Sequence, residues 1–211
     1  MMADSPRPED LPRKRCFVTI GATAPFDDLL RALFRPSFLQ ALSDAHYTEL
    51  RVQYGKEGQA VYEECTSGLM NIAKKGLGIE ISGFGFNADG LSEEMMAAKA
   101  HPKVKEKGEA VEGAVISHAG SGSILDALRI SVPLIVVPNT TLLHNHQVEL
   151  AEELAEQHYV VHGNLEKLSE AIPQVEALRQ RQKQWPPPTK GEYKYQVGLK
   201  GIMDDEMGWV D

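Results

Sequence analysis

The feature that most constrains the fold of this chain is an alternation of short apolar runs with segments of helical periodicity. Five runs are short, rich in β-branched residues and bounded by glycine or polar residues, and they predict buried strands at 16–20, 49–54, 78–82, 114–117 and 133–137. Strands that are apolar almost throughout are typical of a parallel sheet with both faces covered. The alternation therefore predicts an α/β fold, a single Rossmann-like doubly wound and mostly parallel sheet.

Helical patterns separate most of these strands. In residues 22–34, Pro25 suits a first helical turn, and Asp27 and Asp28 favour the positive end of a helix. The apolar residues of this segment recur at helical spacing and predict a buried face: Phe26, Leu29, Leu30, Leu33 and Phe34. Similar spacing over residues 124–128 and 148–158 predicts two further helices.

The length of 211 residues and the hydrophobic content of 42% suit one well-filled domain. We expect a disordered leader over residues 1–14, a Rossmann-like domain over 15–185, and a C-terminal appendage over 186–211 after a triple proline. Within the domain, the lysine-rich residues 87–110 predict a polar surface insertion with one helix or disorder.

The appendage carries four apolar residues at helical spacing: Leu199, Ile202, Met203 and Met207. This spacing predicts a C-terminal helical tail. The apolar face of that helix packs either on its own domain or on a partner, and the sequence leaves both alternatives open.

Charge and composition exclude several classes of function. The net charge of −8 argues against binding of nucleic acid or anionic lipid, which needs a positive surface. No run of eighteen apolar residues exists to span a membrane, and the N-terminus lacks the apolar core of a signal peptide. Cys16 and Cys65 form no CxxC motif and suit a reducing compartment. We expect a cytosolic chain.

The loop "HAGSGS", residues 118–123, follows a predicted strand and opens a predicted helix. Gly120 and Gly122 allow close backbone approach, Ser121 and Ser123 add hydroxyls, and the helix start exposes backbone N–H groups. These features predict a site for a phosphate or diphosphate. Asp126 lies about one turn into the helix, where its carboxylate can bind a diol such as a ribose.

In an alternative interpretation, this loop binds no ligand. The glycines then serve only the packing of helix on strand, and Asp126 is a solvated helix charge.

Other motif readings fit less well. The chain contains no GxxxxGK[ST] phosphate loop, and "GFGFNA" at 83–88 leads into turn residues rather than a helix, which weakens a dinucleotide site. No GxSxG exists, although "AGSGS" lies where a hydrolase nucleophile would stand. His144 and His146 lack a third ligand at suggestive spacing, and no DxD pair occurs. We therefore predict no metal and no cofactor.

A second polar cluster follows the fifth predicted strand. Asn145, His146 and Gln147 open a helix at the same sheet edge, and neutral amides with an imidazole suit the hydroxyls of a sugar. The alternative is ordinary helix capping by Asn145.

Three ordered motifs make the chain recognisable: "VTIGATAPFDDLL", "VISHAGSGSILDALRISVPLIVVPN" and "NHQVELAEEL". Over residues 16–172 the chain closely resembles the catalytic subunits of the two-subunit UDP-N-acetylglucosamine transferases of dolichol-linked oligosaccharide synthesis. The broader relatives are inverting glycosyltransferases with two Rossmann-like domains. The resemblance implies that this chain is equivalent to the C-terminal, donor-binding half of such a GT-B enzyme.

The resemblance also implies which residues bind the UDP-N-acetylglucosamine donor. It places the first loop on the phosphate side at Gly21, Ala22 and Thr23. It places Ser121, Gly122 and Ser123 around the diphosphate and the neighbouring sugar. Asp126 matches an acidic residue that binds the uridine ribose, and His118 a basic residue near the donor. His146 and Gln147 match paired glutamines at the sugar hydroxyls, and Phe84 would lie near the uracil.

The implied reaction transfers N-acetylglucosamine to N-acetylglucosaminyl-diphosphodolichol with inversion. The implied partner is a membrane-anchored subunit that binds this lipid-linked acceptor and recruits the chain, as a heterodimer, to the cytosolic face of the endoplasmic reticulum. The general base is not identified, since both His118 and a residue of the second subunit fit the role. Two alternatives are a nucleotide-sugar-binding module without turnover and an α/β hydrolase.

Overall fold

The structure is a computed structural model that describes residues 12–21, 24–99, 101–104, 108–140 and 146–183. Most of the predicted leader and the whole of the predicted appendage, including its apolar stripe, lie outside these residues. Three predicted donor-binding residues also lie outside them: Ala22, Thr23 and Asn145.

Seven strands and eight helices alternate along the described chain. The strands are β1 (Arg13–Thr19), β2 (Glu49–Gln53), β3 (Glu80–Phe84), β4 (His101–Val104), β5 (Gly108–His118), β6 (Leu134–Val137) and β7 (Val161–His162). The helices are α1 (Asp27–Leu33), α2 (Pro36–Asp44), α3 (Gln59–Thr66), α4 (Leu69–Ile72), α5 (Ser92–Met96), α6 (Ser121–Ile130), α7 (His146–Glu156) and α8 (Ala171–Lys183). A π-helical turn (Ala73–Leu77) follows α4, and a 3₁₀ turn (Leu168–Glu170) precedes α8.

The strands form one sheet in the order β3-β2-β1-β5-β6-β7, and all of these neighbours are parallel. The short β4 pairs antiparallel with β5. The chain first adds strands on one side of β1 and then crosses to β5 on the other side, which confirms the doubly wound prediction. In such sheets ligands bind in the crevice at the carboxyl ends of the strands where this reversal occurs, here between β1 and β5.

Hydrophobic cores cover both faces of the sheet. Along β1, Cys16 and Val18 point into one core and Phe17 into the other, because successive side chains of a strand alternate between faces. The predicted stripe of α1 is buried as expected, with Leu29, Leu30 and Leu33 fully inaccessible. Fully burying such a side chain contributes about 1.5–3 kcal/mol of transfer free energy, so these helices are held mainly by their apolar faces.

All five predicted strands are confirmed, but several bounds differ. The first strand begins at Arg13, and Lys14 is buried, so the predicted disordered leader ends too late. The sequence predicts Lys14 as an exposed residue of the leader, but its ammonium is buried beside the carboxylate of Glu176 in α8. The strand predicted at 114–117 begins at Gly108, and β4 and β7 were not predicted.

The polar insertion at 87–110 contains its predicted helix, α5, but it is not simply a surface segment. Met95 and Ala98 are fully buried in the core that α6 also contacts. Glu94 pairs with Arg15 and Arg51 of the sheet, with closest distances of 3.3 and 3.1 Å. The lysine-rich composition hid these buried positions, and they fix the helix against the sheet.

A buried charged cluster connects α8 to the amino end of the sheet. The carboxylate of Glu176 accepts hydrogen bonds from Lys14 Nζ at 2.9 Å and from Tyr47 Oη at 2.8 Å. Two nitrogens of the Arg179 guanidinium also donate to this carboxylate, and Nη2 reaches the Gly113 carbonyl oxygen at 3.2 Å. This cluster lies at the sheet end opposite the crevice and has a structural role.

None of the helices in the described ranges is long and apolar enough to cross a membrane. Both cysteine thiols are free. Burial raises the pKa of the Cys16 thiol to about 12, so this thiol stays protonated and unreactive at neutral pH.

Candidate functional site

A cavity of about 490 Å³ opens at the carboxyl ends of β1, β2 and β5, where the doubly wound topology predicts a ligand. Backbone and side chains from these strand ends, from the loop after β3 and from the start of α6 form its walls. They are Gly21, Gln53, Phe86, Asn87, Ala88, Gly90, Leu91, His118, Gly120, Ser121, Gly122 and Ser123. The structure thus brings Gly21, His118 and the whole predicted 120–123 loop to one cavity.

The part of the cavity lining that best suits an anion is the amino end of α6. Gly120 is the N-cap residue and no side chain caps the helix, so the first N–H groups point to the cavity without a capping side chain. Ser121 and Ser123 add hydroxyls, and a side chain at Gly122 would meet nothing within 4 Å, which shows open space above this residue. A helix start of this kind stabilises an anion by about 0.3–1 kcal/mol when exposed and up to about 2 kcal/mol when partly buried.

The imidazole of His118 lies between two glycines. A Cβ atom at Gly21 would stand 2.5 Å from its Cε1, and a Cβ atom at Gly120 would stand 2.2 Å from its Nε2. Real side-chain contacts are never so short, so only glycine fits at either position while the ring stays in place. Gly21 also has a φ of +85°, a conformation that favours glycine.

The environment of His118 keeps the ring neutral. Burial lowers its pKa below the ordinary value of 6.5, and the backbone carbonyl of Thr19 opposes this shift only in part. Its Nδ1 atom is buried and has no hydrogen-bond partner among the residues that the structure describes. A neutral imidazole at this position can accept or donate one hydrogen bond but adds no positive charge to the cavity.

A pH titration of stability tests whether the pKa of His118 is lowered in the folded chain. As the pH falls through 6.5, the unfolded chain binds a proton at His118 while the folded chain does not, so the free energy of unfolding should decrease. The decrease should be smaller in His118→Gln than in wild type when urea unfolding is measured on both sides of this pH. Equal decreases in the two proteins would show that the pKa of His118 is not lowered.

No lysine or arginine lines the cavity, within the ranges that the structure describes. Nor does any cluster of three or more His, Cys, Asp or Glu that could hold a metal ion occur in those ranges. The groups that line the cavity and can stabilise an anionic ligand are the backbone amides at the start of α6, with the helix dipole, and the hydroxyl groups of Ser121 and Ser123.

Phe84, which the resemblance places near the uracil, is not among the residues that line this cavity. Its ring stacks on Phe17 with centroids 6.4 Å apart, and the Arg51 guanidinium carbon lies 4.6 Å from the Phe84 centroid on the same sheet face. Phe84 packs against the second core and does not line the cavity. Phe86, two residues later, lines the cavity instead and is 49% exposed, with Lys56 Nζ 4.7 Å from its centroid.

Three more of the predicted residues are not among those that line the cavity. Asp126 is half exposed on α6, and its carboxylate lies 3.6 Å from Arg129 Nη1. His146 begins α7 with an exposed ring whose Nδ1 lies 3.9 Å from the Glu149 carboxylate. The side-chain oxygen of Gln147 accepts a hydrogen bond from the backbone N–H of Asn139 at 3.0 Å, so this amide holds the loop after β6.

Sequence reasoning missed several cavity residues, of which Gln53 is the most informative. It is a polar residue at the end of an apolar parallel strand, and only 2% of it is exposed. The sequence "ELRVQY" indicates this residue only as a polar side chain at the carboxyl end of a predicted strand, where ligands bind in such sheets. The loop residues Phe86, Asn87 and Leu91 were hidden because they fall in or beside the polar insertion.

Comparisons with known proteins agree with this architecture. Residues 15–196 match the model of the glycosyltransferase family 28 C-terminal domain. The chain is 34% identical over 203 residues to UDP-N-acetylglucosamine transferase subunit ALG13 of Cryptococcus neoformans var. neoformans serotype D, a match covering 91% of this chain and 96% of that relative. It is 36% identical over 152 residues to the subunit of the same name from Yarrowia lipolytica, which covers 72% of this chain and 66%, just under two thirds, of the relative.

A solved structure supports the same fold. The solution NMR structure of ALG13 matches with a TM-score of 0.56 at 24% identity, over 93% of this chain and 95% of that one. The family model covers nearly the whole described domain, and the Cryptococcus relative is aligned over almost its full length. This chain therefore belongs to glycosyltransferase family 28, in the group of UDP-N-acetylglucosamine transferase subunits related to ALG13.

Proposed function

We propose that this chain is the donor-binding, catalytic subunit of an inverting transferase that moves N-acetylglucosamine from UDP-N-acetylglucosamine to N-acetylglucosaminyl-diphosphodolichol. The observation that carries the proposal is the cavity at the β1–β5 switch point, where the uncapped start of α6 meets His118 and Gly21. A cavity of about 490 Å³ falls in the range of small-molecule sites, and its lining of amides and hydroxyls suits a diphosphate and a sugar.

The α6 start would act on the leaving group. When the glycosidic bond breaks, negative charge develops on the UDP diphosphate, and N–H groups already aimed at that place need no rearrangement. Because the charge is larger in the transition state than in bound donor, these groups favour the transition state. Ser121, Gly122 and Ser123 are the residues assigned to this role.

The acceptor hydroxyl needs a general base. His118 is neutral and lies in the cavity, which are two requirements of a base, but its lowered pKa makes it a weaker one. A side chain of a second subunit is the alternative. Replacing His118 by Gln tests both, because transfer that persists at a reduced but pH-dependent rate would assign the base to the partner.

A membrane-anchored second subunit completes the proposal. The curated relatives are named as subunits, which supports a partner. A lipid-linked acceptor must be presented at a membrane, and we assign its binding to this partner. We place the complex, a heterodimer, at the cytosolic face of the endoplasmic reticulum. The apolar stripe that includes Leu199 and Met203 is the proposed docking segment, and truncation after Trp185 should then abolish co-purification with the membrane subunit.

Donor binding is testable on this chain alone. Asp126→Ala should weaken UDP binding by about 1.5–3 kcal/mol, because a carboxylate that accepts hydrogen bonds from the ribose is lost. The melting temperature should change little, since the carboxylate is half exposed and its ion pair with Arg129 is a surface pair. Isothermal titration calorimetry with UDP measures the effect.

The matched control for Asp126→Ala is Glu170→Ala, which removes another exposed carboxylate from an ion pair of the same spacing, with Lys167 at 3.7 Å. It should leave UDP affinity unchanged. Equal affinities for Asp126→Ala and wild type would remove the ribose contact from the proposal. UDP binding without transfer in the assembled complex would instead favour a nucleotide-sugar-binding module.

A further inference from the structure

Two buried polar side chains lie side by side beneath the cavity. Thr19 ends β1 and is fully buried, Gln53 ends β2 and is 2% exposed, and the strand register pairs the two residues. One step earlier in the same register stand Val18 and Val52, both fully buried and apolar. Burying a hydroxyl and an amide costs free energy unless both are hydrogen-bonded, so this polar pair needs an explanation that its apolar neighbours do not.

The explanation lies in the bonds that the pair makes. The hydroxyl of Thr19 donates to Gln53 Oε1 at 2.7 Å and accepts the backbone N–H of Gly21 at 3.2 Å. The amide nitrogen of Gln53 donates to the carbonyl oxygen of Gly21 at 3.2 Å. The three residues form a closed ring of hydrogen bonds, in which both backbone polar groups of Gly21 are bound by side chains.

Gly21 in turn supports the imidazole of His118. Its backbone stands so close to the ring that a Cβ atom there would lie 2.5 Å from Cε1, and a Cβ atom at Gly120 would lie 2.2 Å from Nε2. The ring therefore rests where these two backbones allow it. Gly21 has a left-handed φ of +85°, and the bonds from Thr19 and Gln53 hold both polar groups of its backbone in this conformation.

We propose that Thr19 and Gln53 are positioning residues that fix Gly21, and through Gly21 the ring of His118, in the geometry that the donor cavity needs. The role rests on the proposed donor binding. Thr19 is not among the residues that line the cavity, whereas Gln53 is, so an effect of Thr19 on donor binding acts through the glycine backbone and separates positioning from direct contact.

The test uses the full-length chain and four variants. Thr19→Val keeps the shape of the side chain and removes the hydroxyl, whereas Thr19→Ser keeps the hydroxyl. Gln53→Met removes both hydrogen bonds of the side-chain amide. The matched control is Thr66→Val, which deletes another buried hydroxyl, one that donates to the Tyr62 carbonyl oxygen at 2.8 Å and does not line the cavity. Calorimetry measures the affinity for UDP, and NMR measures amide hydrogen exchange at Gly21 without ligand.

Thr19→Val and Gln53→Met should each bind UDP about tenfold more weakly, which corresponds to about 1.4 kcal/mol. In Thr19→Val the Gly21 amide should also exchange about tenfold faster, since its acceptor is gone. Thr19→Ser should restore both quantities, and Thr66→Val should leave both at the wild-type value even if it melts at a lower temperature. If the role of Thr19 were purely structural, Thr19→Val would behave like Thr66→Val, with wild-type UDP affinity and Gly21 exchange and at most a lower melting temperature.

Unchanged UDP affinity in folded Thr19→Val and Gln53→Met would overturn the inference, as would a failure of Thr19→Ser to restore binding. If Thr19→Val does not fold, Gln53→Met decides through the exchange of the Gly21 amide without ligand, because Gln53 lines the cavity and weaker UDP binding alone would not separate lost positioning from a lost direct contact. A wild-type chain that does not bind UDP would contradict the proposed function instead, and the ligand-free exchange of Gly21 would still test the hydrogen-bond ring by itself.

Discussion

Gly120→Ala should reduce sugar transfer by about a hundredfold, the loss that a displacement of about 1 Å in a reacting site can cause. The added methyl group would stand 2.2 Å from Nε2 of His118 and 2.8 Å from its Cε1. The ring must therefore shift, and because it lines the cavity, the shift changes the shape of the site. Overpacking of this kind should also lower the free energy of unfolding by about 1–3 kcal/mol. Transfer rates and urea unfolding measure the two effects.

Two comparisons separate displacement of the ring from general damage. Gly76→Ala adds the same methyl group where nothing lies within 4 Å, outside the cavity, and should leave transfer and stability near wild type. The double variant Gly120→Ala with His118→Ala should recover stability relative to Gly120→Ala alone, since the clash is removed. If the double variant is no more stable than the single one, the clash with His118 is not the cause.

Glu176→Gln should have the largest effect on stability, a loss of about 3–5 kcal/mol in the free energy of unfolding. The substitution keeps the shape of the side chain but leaves the buried Lys14 ammonium without the Glu176 carboxylate, and leaves Arg179 with only the more distant carboxylate of Glu112, 3.8 Å from its Nε. Only 8% of the Lys14 side chain and 6% of that of Arg179 are exposed, so water cannot replace the lost partner. Guanidinium unfolding at neutral pH measures this loss.

The control for Glu176→Gln is Glu64→Gln, which removes an equally direct ion pair with Arg31 between two exposed side chains. Water screens that pair, so its loss should change stability little. Burial tends to raise the pKa of Glu176, but hydrogen bonds from Arg179 and Lys14 outweigh it and lower the pKa below 4.5. The contribution of Glu176 is therefore present above pH 4.5 and lost as the pH falls below it. Equal losses in the two variants would contradict a special role for the buried cluster.

The fold was predictable because its signals are local. Apolar β-branched runs and the stripe of α1 each predict their own element, and their alternation predicts the sheet type. The buried cluster was not predictable, because Lys14, Tyr47 and Glu176 are far apart in sequence and meet only when α8 packs on the sheet. Met95 was missed for a related reason, since the polar residues around it dominate the composition of its segment.

The site was predictable in position but not in detail. The loop at 118–123 lies in the cavity as a strand end before a helix should, and Gly122 faces open space as expected of a residue that admits a ligand. Gly120 serves a different purpose, since the space left by its missing side chain is filled by the ring of His118. Phe84 and Phe86 are two residues apart, and only the path of the chain after β3 decides which of them reaches the cavity.

The most direct test of the proposed function is a transfer assay with UDP-N-acetylglucosamine and an N-acetylglucosaminyl-diphospho-lipid acceptor in membranes. The wild-type chain would be assayed alone and together with a membrane-anchored acceptor-binding subunit. The Gly120→Ala variant of the chain would be assayed together with the same subunit. The account predicts a β1,4-linked disaccharide product only when the wild-type chain and the membrane subunit are both present, and about a hundredfold less with the variant. Full-rate transfer by the chain alone, or no transfer by the complete pair although the chain binds UDP, would contradict it.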